Sequence, residues 1–203
     1  MPLTITLNSG SHQIDGIIFD LDGTLVDSSL NFNLIRQQVG CPLGQDMLTF
    51  IATLADENQR QQAADLVIAH EMRDADQSRW LPGAQTLVNT LHQHNIPQAI
   101  VTRNSIPATG LKMRNNAIPI DTVITRENYR PKPAPDALLA IANDWDIAPA
   151  RLMYIGDYLY DVQAGNNAGM VSCFITNGKT VDYSHEADIV FTQLGELTVA
   201  LFG

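Results

Sequence analysis

The stretch Asp15–Ser28, DGIIFDLDGTLVDS, contains the clearest indication of the fold. Its apolar run GIIF ends in charge, which is typical of a strand buried on both faces of a parallel sheet. Asp20 and Asp22 follow this run, and residues i and i+2 of an extended chain point to the same side. The sequence therefore predicts a first core strand with two carboxylates that face one site at its carboxyl end.

Short apolar runs of the same kind recur along the chain. They are IPQAIVT (96–102), DTVIT (121–125), RLMYIG (151–156), MVSCFIT (170–176) and ADIVF (187–191). Segments of helical length and period lie between most of them, such as GAQTLVNTLHQHN, APDALLAIANDWD and DVQAGNNAG. This alternation predicts an α/β domain with a doubly wound, Rossmann-like, mostly parallel sheet.

Residues 28–79 interrupt the alternation, because they contain helical patterns and no convincing strand. The patterns are SSLNFNLIRQQVG, GQDMLTFIATLAD and ENQRQQAADLVIAHEMRDADQSR. We expect Ser28 and Ser29 to cap the first helix and Gly40 to end it. In the longest pattern, the apolar residues with helical spacing are Ala64, Val67, Ile68 and Met72.

The position of this helical segment suggests a division of the chain. We predict a core domain of residues 1–27 and 80–203 and a small all-helical cap of residues 28–79, inserted after the first core strand. The connections at Asp27–Ser29 and Trp80–Gly83 are expected to act as hinges. An alternating segment TITL near the start of the chain hints at a strand whose place the sequence does not indicate.

Charge and composition argue against several classes of partner. The 203-residue chain has 22 acidic and 12 basic residues, a net charge of -10, and no block rich in lysine and arginine. Nucleic acid and anionic membranes are therefore disfavoured as partners. Cys41 and Cys173 lie far apart without CxxC spacing, and no apolar run approaches the roughly 18 residues of a membrane span. We expect a cytoplasmic protein, and the sequence indicates no oligomeric state.

Polar residues cluster at the predicted strand ends, where ligands bind in α/β sheets. They are Asp20, Asp22, Thr102, Arg103, Asn104, Lys132, Asp157 and Asp161. Two carboxylates about 4 Å apart repel by roughly 4 kcal/mol at an effective dielectric near 20, so the acids need a proton or a cation. Oxygen ligands favour Mg²⁺, which often completes its shell with waters and substrate phosphates. Lys132 and Thr102 are available to hold such a phosphate.

Four motifs in order give the chain a family resemblance. DxDGTL stands at Asp20–Leu25, a strand ending in IVT stops at Thr102, Lys132 lies in RPKPAPD, and GDxxxD supplies Asp157 and Asp161. With these motifs the chain resembles the haloacid dehalogenase (HAD) superfamily, in its phosphoglycolate phosphatase-like branch. The motifs cover most of the chain, and their combination is far more specific than any one of them.

The resemblance implies a role for each motif residue. It makes Asp20 the nucleophile that accepts a phosphoryl group, and Asp22 the general acid and base. It implies Mg²⁺ bound by Asp20, the backbone carbonyl of Asp22 and Asp157. The remaining residues are implied as follows: Asp161 supports the metal or orients Lys132, Thr102 and Lys132 balance phosphate charge, and Arg103 and Asn104 are candidate phosphate or substrate contacts. The function implied is an Mg²⁺-dependent phosphatase for a small phosphorylated metabolite.

The sequence disfavours two other functions of the same superfamily and leaves two alternatives open. A dehalogenase is disfavoured because Asp22 is present, and a phosphonate hydrolase because residues 28–79 contain no lysine for a Schiff base. A phosphomutase of the β-phosphoglucomutase type shares all four motifs and stays open. A catalytically silent phosphate-binding regulatory module also stays open, although no motif residue is missing. GKT at Gly178–Thr180 lacks the earlier glycine of a P-loop and is interpreted as a turn.

Overall fold

The computed structural model describes residues 3–7, 10–180 and 183–203. The strands are β1 (Leu3–Leu7), β2 (Gly10–Ile14), β3 (Gly16–Phe19), β4 (Gln98–Val101), β5 (Thr122–Ile124), β6 (Leu152–Gly156), β7 (Val171–Ile175) and β8 (Ile189–Phe191). The helices are α1 (Phe32–Val39), α2 (Met47–Thr53), α3 (Glu57–Gln77), α4 (Ala84–Gln93), α5 (Ile106–Asn115), α6 (Asp136–Asp144), α7 (Leu159–Ala168) and α8 (Leu194–Phe202).

The main sheet has six parallel strands in the order β5-β4-β3-β6-β7-β8. Each apolar run selected in the sequence forms one of these strands, so the prediction of a parallel α/β sheet is confirmed. β3 lies at the centre, where Phe19 is opposite Ile100 of β4 and Ile155 of β6. This register brings the carboxyl ends of three strands to the same level.

Helices cover both faces of the sheet, which explains why β3 is apolar at every position. Ile17 and Phe19 pack in a cluster with α4 and α8, whereas Ile18 packs on the other face with α6 and α7. All three side chains are fully buried, and each contributes roughly 1.5–3 kcal/mol of burial free energy. The doubly wound arrangement is therefore confirmed.

The N-terminal segment forms an antiparallel hairpin of β1 and β2, in which Leu3 is opposite Ile14 and Leu7 is opposite Gly10. Leu3, Ile5 and Ile14 are buried in the same cluster as α8. TITL is therefore most of β1, a place that the sequence alone did not indicate. Residues 1, 2, 8 and 9 of this segment lie outside the described residues.

Residues 28–79 contain α1, α2 and α3 and no strand. These helices share a small apolar cluster of Ile35, Ile51, Ala63 and Val67. The two chain connections of the segment run side by side, because Val26 forms a bridge with Trp80 and the Asp27 backbone N–H donates to the Arg79 carbonyl at 2.9 Å.

Among the described residues, no helix is long and apolar enough to cross a membrane.

The predicted ends of α1 are half right. Gly40 ends the helix in the left-handed conformation with φ 71°, as expected. The serine cap is wrong, because the Asn31 side chain accepts the Leu34 backbone N–H at 3.0 Å. Ser28 and Ser29 donate instead to the carboxylate of Asp74 on α3.

The buried face of α3 is also displaced from the apolar residues that marked the helix in the sequence. Ala64, Ile68 and Met72 are only half-buried. The face that is buried consists of Ala63, Val67, Glu71, Asp74 and Ala75. This face contains two acids because both are paired with cations outside the helical segment. Lys112 of α5, on which α3 packs, pairs with Asp74, and Arg126, which follows β5, pairs with Glu71.

Candidate active site

Three buried acids meet at the carboxyl ends of β3 and β6. Asp20 follows β3 directly, and its backbone N–H donates to the Ile155 carbonyl at 2.8 Å, which fixes it beside β6. Asp157 follows β6, and Asp161 lies in the first turn of α7. One carboxylate oxygen from each of the three acids lies within 4.8 Å of the others.

Lys132 joins two of these acids from the loop between β5 and α6. Its Nζ atom lies 2.6 Å from Oδ1 of Asp20 and 2.6 Å from Oδ1 of Asp161. Asp161 is held in turn by the hydroxyl of Tyr154 at 3.2 Å and by the backbone N–H of Tyr158 at 3.1 Å. Asp161 and Asp20 therefore share the ammonium group of Lys132.

Two glycines of the motifs let the acids approach the backbone. Gly23 has φ +75°, and a Cβ atom there would lie 2.2 Å from Oδ2 of Asp157. A Cβ atom on Gly156 would lie 2.1 Å from Cβ of Asp161. Since real Cβ atoms do not approach other atoms so closely, a side chain at either position would displace an acid.

Asp22 lines the same cavity as Asp20 but pairs with a different lysine. Nζ of Lys112, on α5, lies 2.5 Å from Oδ1 of Asp22 and 2.7 Å from Oδ2 of Asp74. The Lys112 side chain is fully buried. Lys112 is not predicted from the sequence, because it belongs to none of the four motifs and a single lysine in a helical pattern carries no signal of its own.

Lys179 pairs with Asp157 and is the second residue that sequence analysis missed. It lies after β7 in the GKT segment, for which the sequence predicts only a turn. Asn177 of this loop donates from Nδ2 to the Gly23 carbonyl at 2.6 Å, so the loop is fastened to the first motif. The sequence contains three lysines, and each contacts an acid of this site.

The loop after β4 contributes Thr102, Arg103 and Asn104. Thr102 is buried, and its hydroxyl oxygen accepts the Asn104 backbone N–H at 3.1 Å. Arg103 donates to the Lys132 carbonyl at 2.8 Å, forms an ion pair with Asp46 of the helical segment, and stacks 4.8 Å from the Tyr160 ring centroid. Its charge is thus already offset within the chain.

All eight residues selected in the sequence line one cavity of about 470 Å³. These are Asp20, Asp22, Thr102, Arg103, Asn104, Lys132, Asp157 and Asp161. The helical segment supplies the opposite wall with Phe32, Ile35, Arg36, Met47, Val67 and Glu71. The structure therefore brings the predicted site residues together between the sheet and the helical segment.

Burial sets the electrostatics of the cluster. Burial raises the pKa of Asp20 to about 8, against the attraction of Lys132 and with added repulsion from Asp161 and Asp157. Burial and the Asp161 charge raise the pKa of Asp157 to about 6, although Lys179 opposes the shift. Burial also raises the pKa of Asp22 against the effect of Lys112. The three lysines thus offset the negative charge only in part.

The donor set of the acid cluster fits a hard divalent cation. Asp20, Asp157 and Asp161 offer only oxygen atoms, and their mutual repulsion leaves a need for positive charge. Oxygen ligands in a cluster of carboxylates are the setting in which proteins hold Mg²⁺.

Comparison with known proteins agrees with this fold. A family model described as haloacid dehalogenase-like hydrolase matches residues 29–175. The chain belongs to this family. The match includes Thr102, Lys132, Asp157 and Asp161, and the first motif stands just before it.

Individual relatives extend over nearly the whole chain. Hexitol phosphatase A of Escherichia coli is 30% identical over 203 residues, which cover 91% of this chain and 93% of the relative. A phosphoglycolate phosphatase of Shigella dysenteriae is 27% identical over 235 residues, with 93% of each chain covered. The crystal structure of a hydrolase from Pseudomonas syringae has a TM-score of 0.73 at 24% identity, covers 90% of this chain and 95% of that one, and supports the fold.

Proposed function

We propose that this HAD-family hydrolase is an Mg²⁺-dependent phosphatase that hydrolyses a small phosphate monoester through an aspartyl-phosphate on Asp20. One observation carries the proposal: Asp20 shares a cavity with Asp22 and lies 2.6 Å from Lys132 within a cluster of buried acids. The names of two relatives, hexitol phosphatase A and phosphoglycolate phosphatase, support phosphate monoesters as the substrate class.

The reaction has two steps in which Asp22 moves a proton. In the first, a carboxylate oxygen of Asp20 bonds to phosphorus, the bond from phosphorus to the leaving oxygen breaks, and Asp22 gives its proton to that oxygen. In the second, Asp22 takes a proton from water, the water oxygen bonds to phosphorus, and the bond to Asp20 breaks. Inorganic phosphate leaves and both acids return to their starting states.

The remaining site residues hold charge in place. Asp20, Asp157 and the backbone carbonyl of Asp22 would bind Mg²⁺, which when bound offsets the repulsion between the nucleophile and the phosphate. Lys132 and the Thr102 hydroxyl balance the charge of the transferred group. Asp161 keeps Lys132 in reach of it.

Residues 28–79 serve in this proposal as a cap over a core of residues 1–27 and 80–203. The ion pair between Arg103 and Asp46 and that between Lys112 and Asp74 connect the two parts. A closed cap excludes bulk water from the reaction and surrounds the leaving group. A cavity of about 470 Å³ suits a small metabolite better than a macromolecule.

The proposal is tested by phosphate release from a panel of phosphorylated sugars, hexitols, glycolate-like acids and nucleotides, with Mg²⁺ or with EDTA. We expect turnover with Mg²⁺ only, and none by Asp20→Asn. The matched control is Asp15→Asn, which makes the same change at the opposite end of β3 and should retain activity. Turnover by Asp20→Asn at the wild-type rate would overturn the mechanism, and interconversion of sugar phosphates activated by a sugar bisphosphate would identify a mutase instead.

A further inference from the structure

Lys112 is a fully buried cation that the proposed reaction does not use. It lies on α5, two turns beyond the loop that contains Thr102, and its ammonium contacts the carboxylates of Asp22 and Asp74. Burying an ammonium costs several kcal/mol, which a close, well-hydrogen-bonded carboxylate offsets. One carboxylate, that of Asp74, would be sufficient to neutralise the charge. The second contact ties Lys112 to the residue proposed to move the proton.

The other end of this contact reaches the connection between β3 and α1. Oδ1 of Asp74 accepts the Ser29 backbone N–H at 2.6 Å and the Ser29 hydroxyl at 3.0 Å. Oδ2 of Asp74 accepts the Ser28 hydroxyl at 3.0 Å in addition to the ammonium of Lys112. Lys112 therefore links Asp22 to α3 and to one of the two connections of the helical segment.

We propose that Lys112 is a positioning residue for Asp22, and that it holds the Asp22 carboxylate in line with the leaving oxygen only while Asp74 and the Ser28–Ser29 connection are in the arrangement seen here. The proposal rests on the function proposed above, in which Asp22 is the general acid. A general acid must lie within hydrogen-bond reach of the oxygen that it protonates. Lys112 engages Oδ1 of Asp22, and in this proposal Oδ2 carries the proton.

This role predicts a change in leaving-group preference rather than a uniform loss of activity. The p-nitrophenolate anion departs without a proton, whereas an alkoxide needs one from the general acid. A displaced Asp22 should therefore slow phosphoryl transfer from an alkyl phosphate far more than from p-nitrophenyl phosphate. The ratio of the two kcat/KM values measures this preference, because kcat/KM reports the first phosphoryl transfer and a loss of folded enzyme cancels in the ratio.

The main variant is Lys112→Met, measured with p-nitrophenyl phosphate and with an alkyl phosphate that the wild-type enzyme hydrolyses. We expect kcat/KM to fall by less than about threefold for the aryl substrate and by about tenfold to a hundredfold for the alkyl substrate, since general acid catalysis contributes about 10²–10⁴. Equal losses on both substrates would show that Lys112 has a structural role only, and would overturn the proposal.

A second variant covers the case in which Lys112→Met does not fold, because that variant leaves two buried acids without a counter-charge. Asp74→Asn keeps the pair between Lys112 and Asp22 but removes the tie to the connection, and should lower the alkyl-to-aryl ratio by about threefold to tenfold. Asp76→Asn is the matched control, since Asp76 is exposed on the same helix and should leave the ratio unchanged. An unchanged ratio in Asp74→Asn would overturn the coupling.

The same assays separate this proposal from the function on which it rests. Asp20→Asn is measured beside the other variants with both substrates and Mg²⁺. If Asp20→Asn still releases phosphate at the wild-type rate, the proposed reaction is wrong. If Asp20→Asn is inactive and Lys112→Met keeps the wild-type ratio, the phosphatase mechanism stands and only the role of Lys112 is wrong.

Discussion

Nζ of Lys132 lies 2.6 Å from Oδ1 of Asp20, although 112 positions separate the two residues along the chain. The contact forms because the loop after β5 returns over the end of the neighbouring strands. It is one of three such contacts, since Lys112 and Lys179 reach Asp22 and Asp157 from α5 and from the loop after β7. Every lysine of the sequence thus pairs with an acid that lines the same cavity.

Lys132→Met should destabilise the metal-free chain strongly. The Lys132 side chain is only 5% exposed, and its removal leaves Asp20 and Asp161 buried without their cation. Breaking a buried pair in this way costs about 3–5 kcal/mol. Urea unfolding in EDTA measures the change in unfolding free energy.

The control for this variant is Arg130→Met, two residues away on the same loop. Arg130 pairs with Asp136 at 2.7 Å, but its side chain is 77% exposed. A surface pair contributes about 0–1 kcal/mol, so this variant should change stability little. Equal losses in the two variants would contradict a buried charge balance at Lys132.

The stability of the metal-free chain should fall as the pH rises from about 5 to 8. Burial raises the pKa of Asp20 from 3.8 to about 8, so the folded chain keeps a proton that the unfolded chain has already released. The resulting stability is complete below the unfolded pKa and is lost as the pH rises toward the folded value. For Asp20 alone the loss is roughly 4 kcal/mol over this range.

Urea unfolding at pH 5 and pH 8 in EDTA, with wild type and Asp20→Asn, tests this dependence. The asparagine does not titrate, so the variant should show a flatter pH profile and should be more stable than wild type at pH 8. Addition of Mg²⁺ should stabilise the wild type at pH 8 and have a much smaller effect on the variant. Identical pH profiles for the two proteins would contradict the role of Asp20.

The sheet and the meeting of the eight selected residues in one cavity could be predicted because their signals are local. GIIF is apolar at each position since both faces of β3 are covered, and Asp20 follows it at the sheet edge where ligands bind. The ends of the helical segment were harder, because Ser28 and Ser29 are typical capping residues by type. In the fold, however, Asp74 lies close to both serines and accepts their hydrogen bonds, so neither serine caps α1.

Lys112 and Lys179 could not be predicted, because their importance depends on distance in space alone. Lys112 is 90 positions from Asp22, and Lys179 is 22 positions from Asp157 in a turn without a complete motif. Net charge gave one hint, since a chain of charge -10 that buries several acids needs cations at the same place. The small number of lysines in the sequence could have directed attention to them.

Lys179→Met should bind Mg²⁺ more tightly than the wild type. In the metal-free chain the ammonium of Lys179 pairs with Asp157, a proposed metal ligand, so a metal ion has to displace it. Because Lys179 is 48% exposed, the pair is worth about 0.5–1 kcal/mol, which corresponds to roughly a two- to fivefold change in Kd. Isothermal titration calorimetry with MgCl₂ measures the affinity, and weaker binding by the variant would make Lys179 a helper of the metal rather than a competitor.

Gly156→Ala should disrupt the site through one methyl group. The added Cβ would lie 2.1 Å from Cβ and 2.3 Å from Cγ of Asp161, so Asp161 has to move and Lys132 loses a partner. Forced overpacking costs about 1–3 kcal/mol, and phosphate release should fall at least tenfold because Lys132 is no longer directed at Asp20. Gly195→Ala, on α8, is the control, because its Cβ would meet no atom within 4 Å. This variant should raise the unfolding free energy by about 0.4–1 kcal/mol without changing activity. Thermal unfolding and the phosphate assay on both variants decide the point, and full activity in Gly156→Ala would show that the position of Asp161 is not critical.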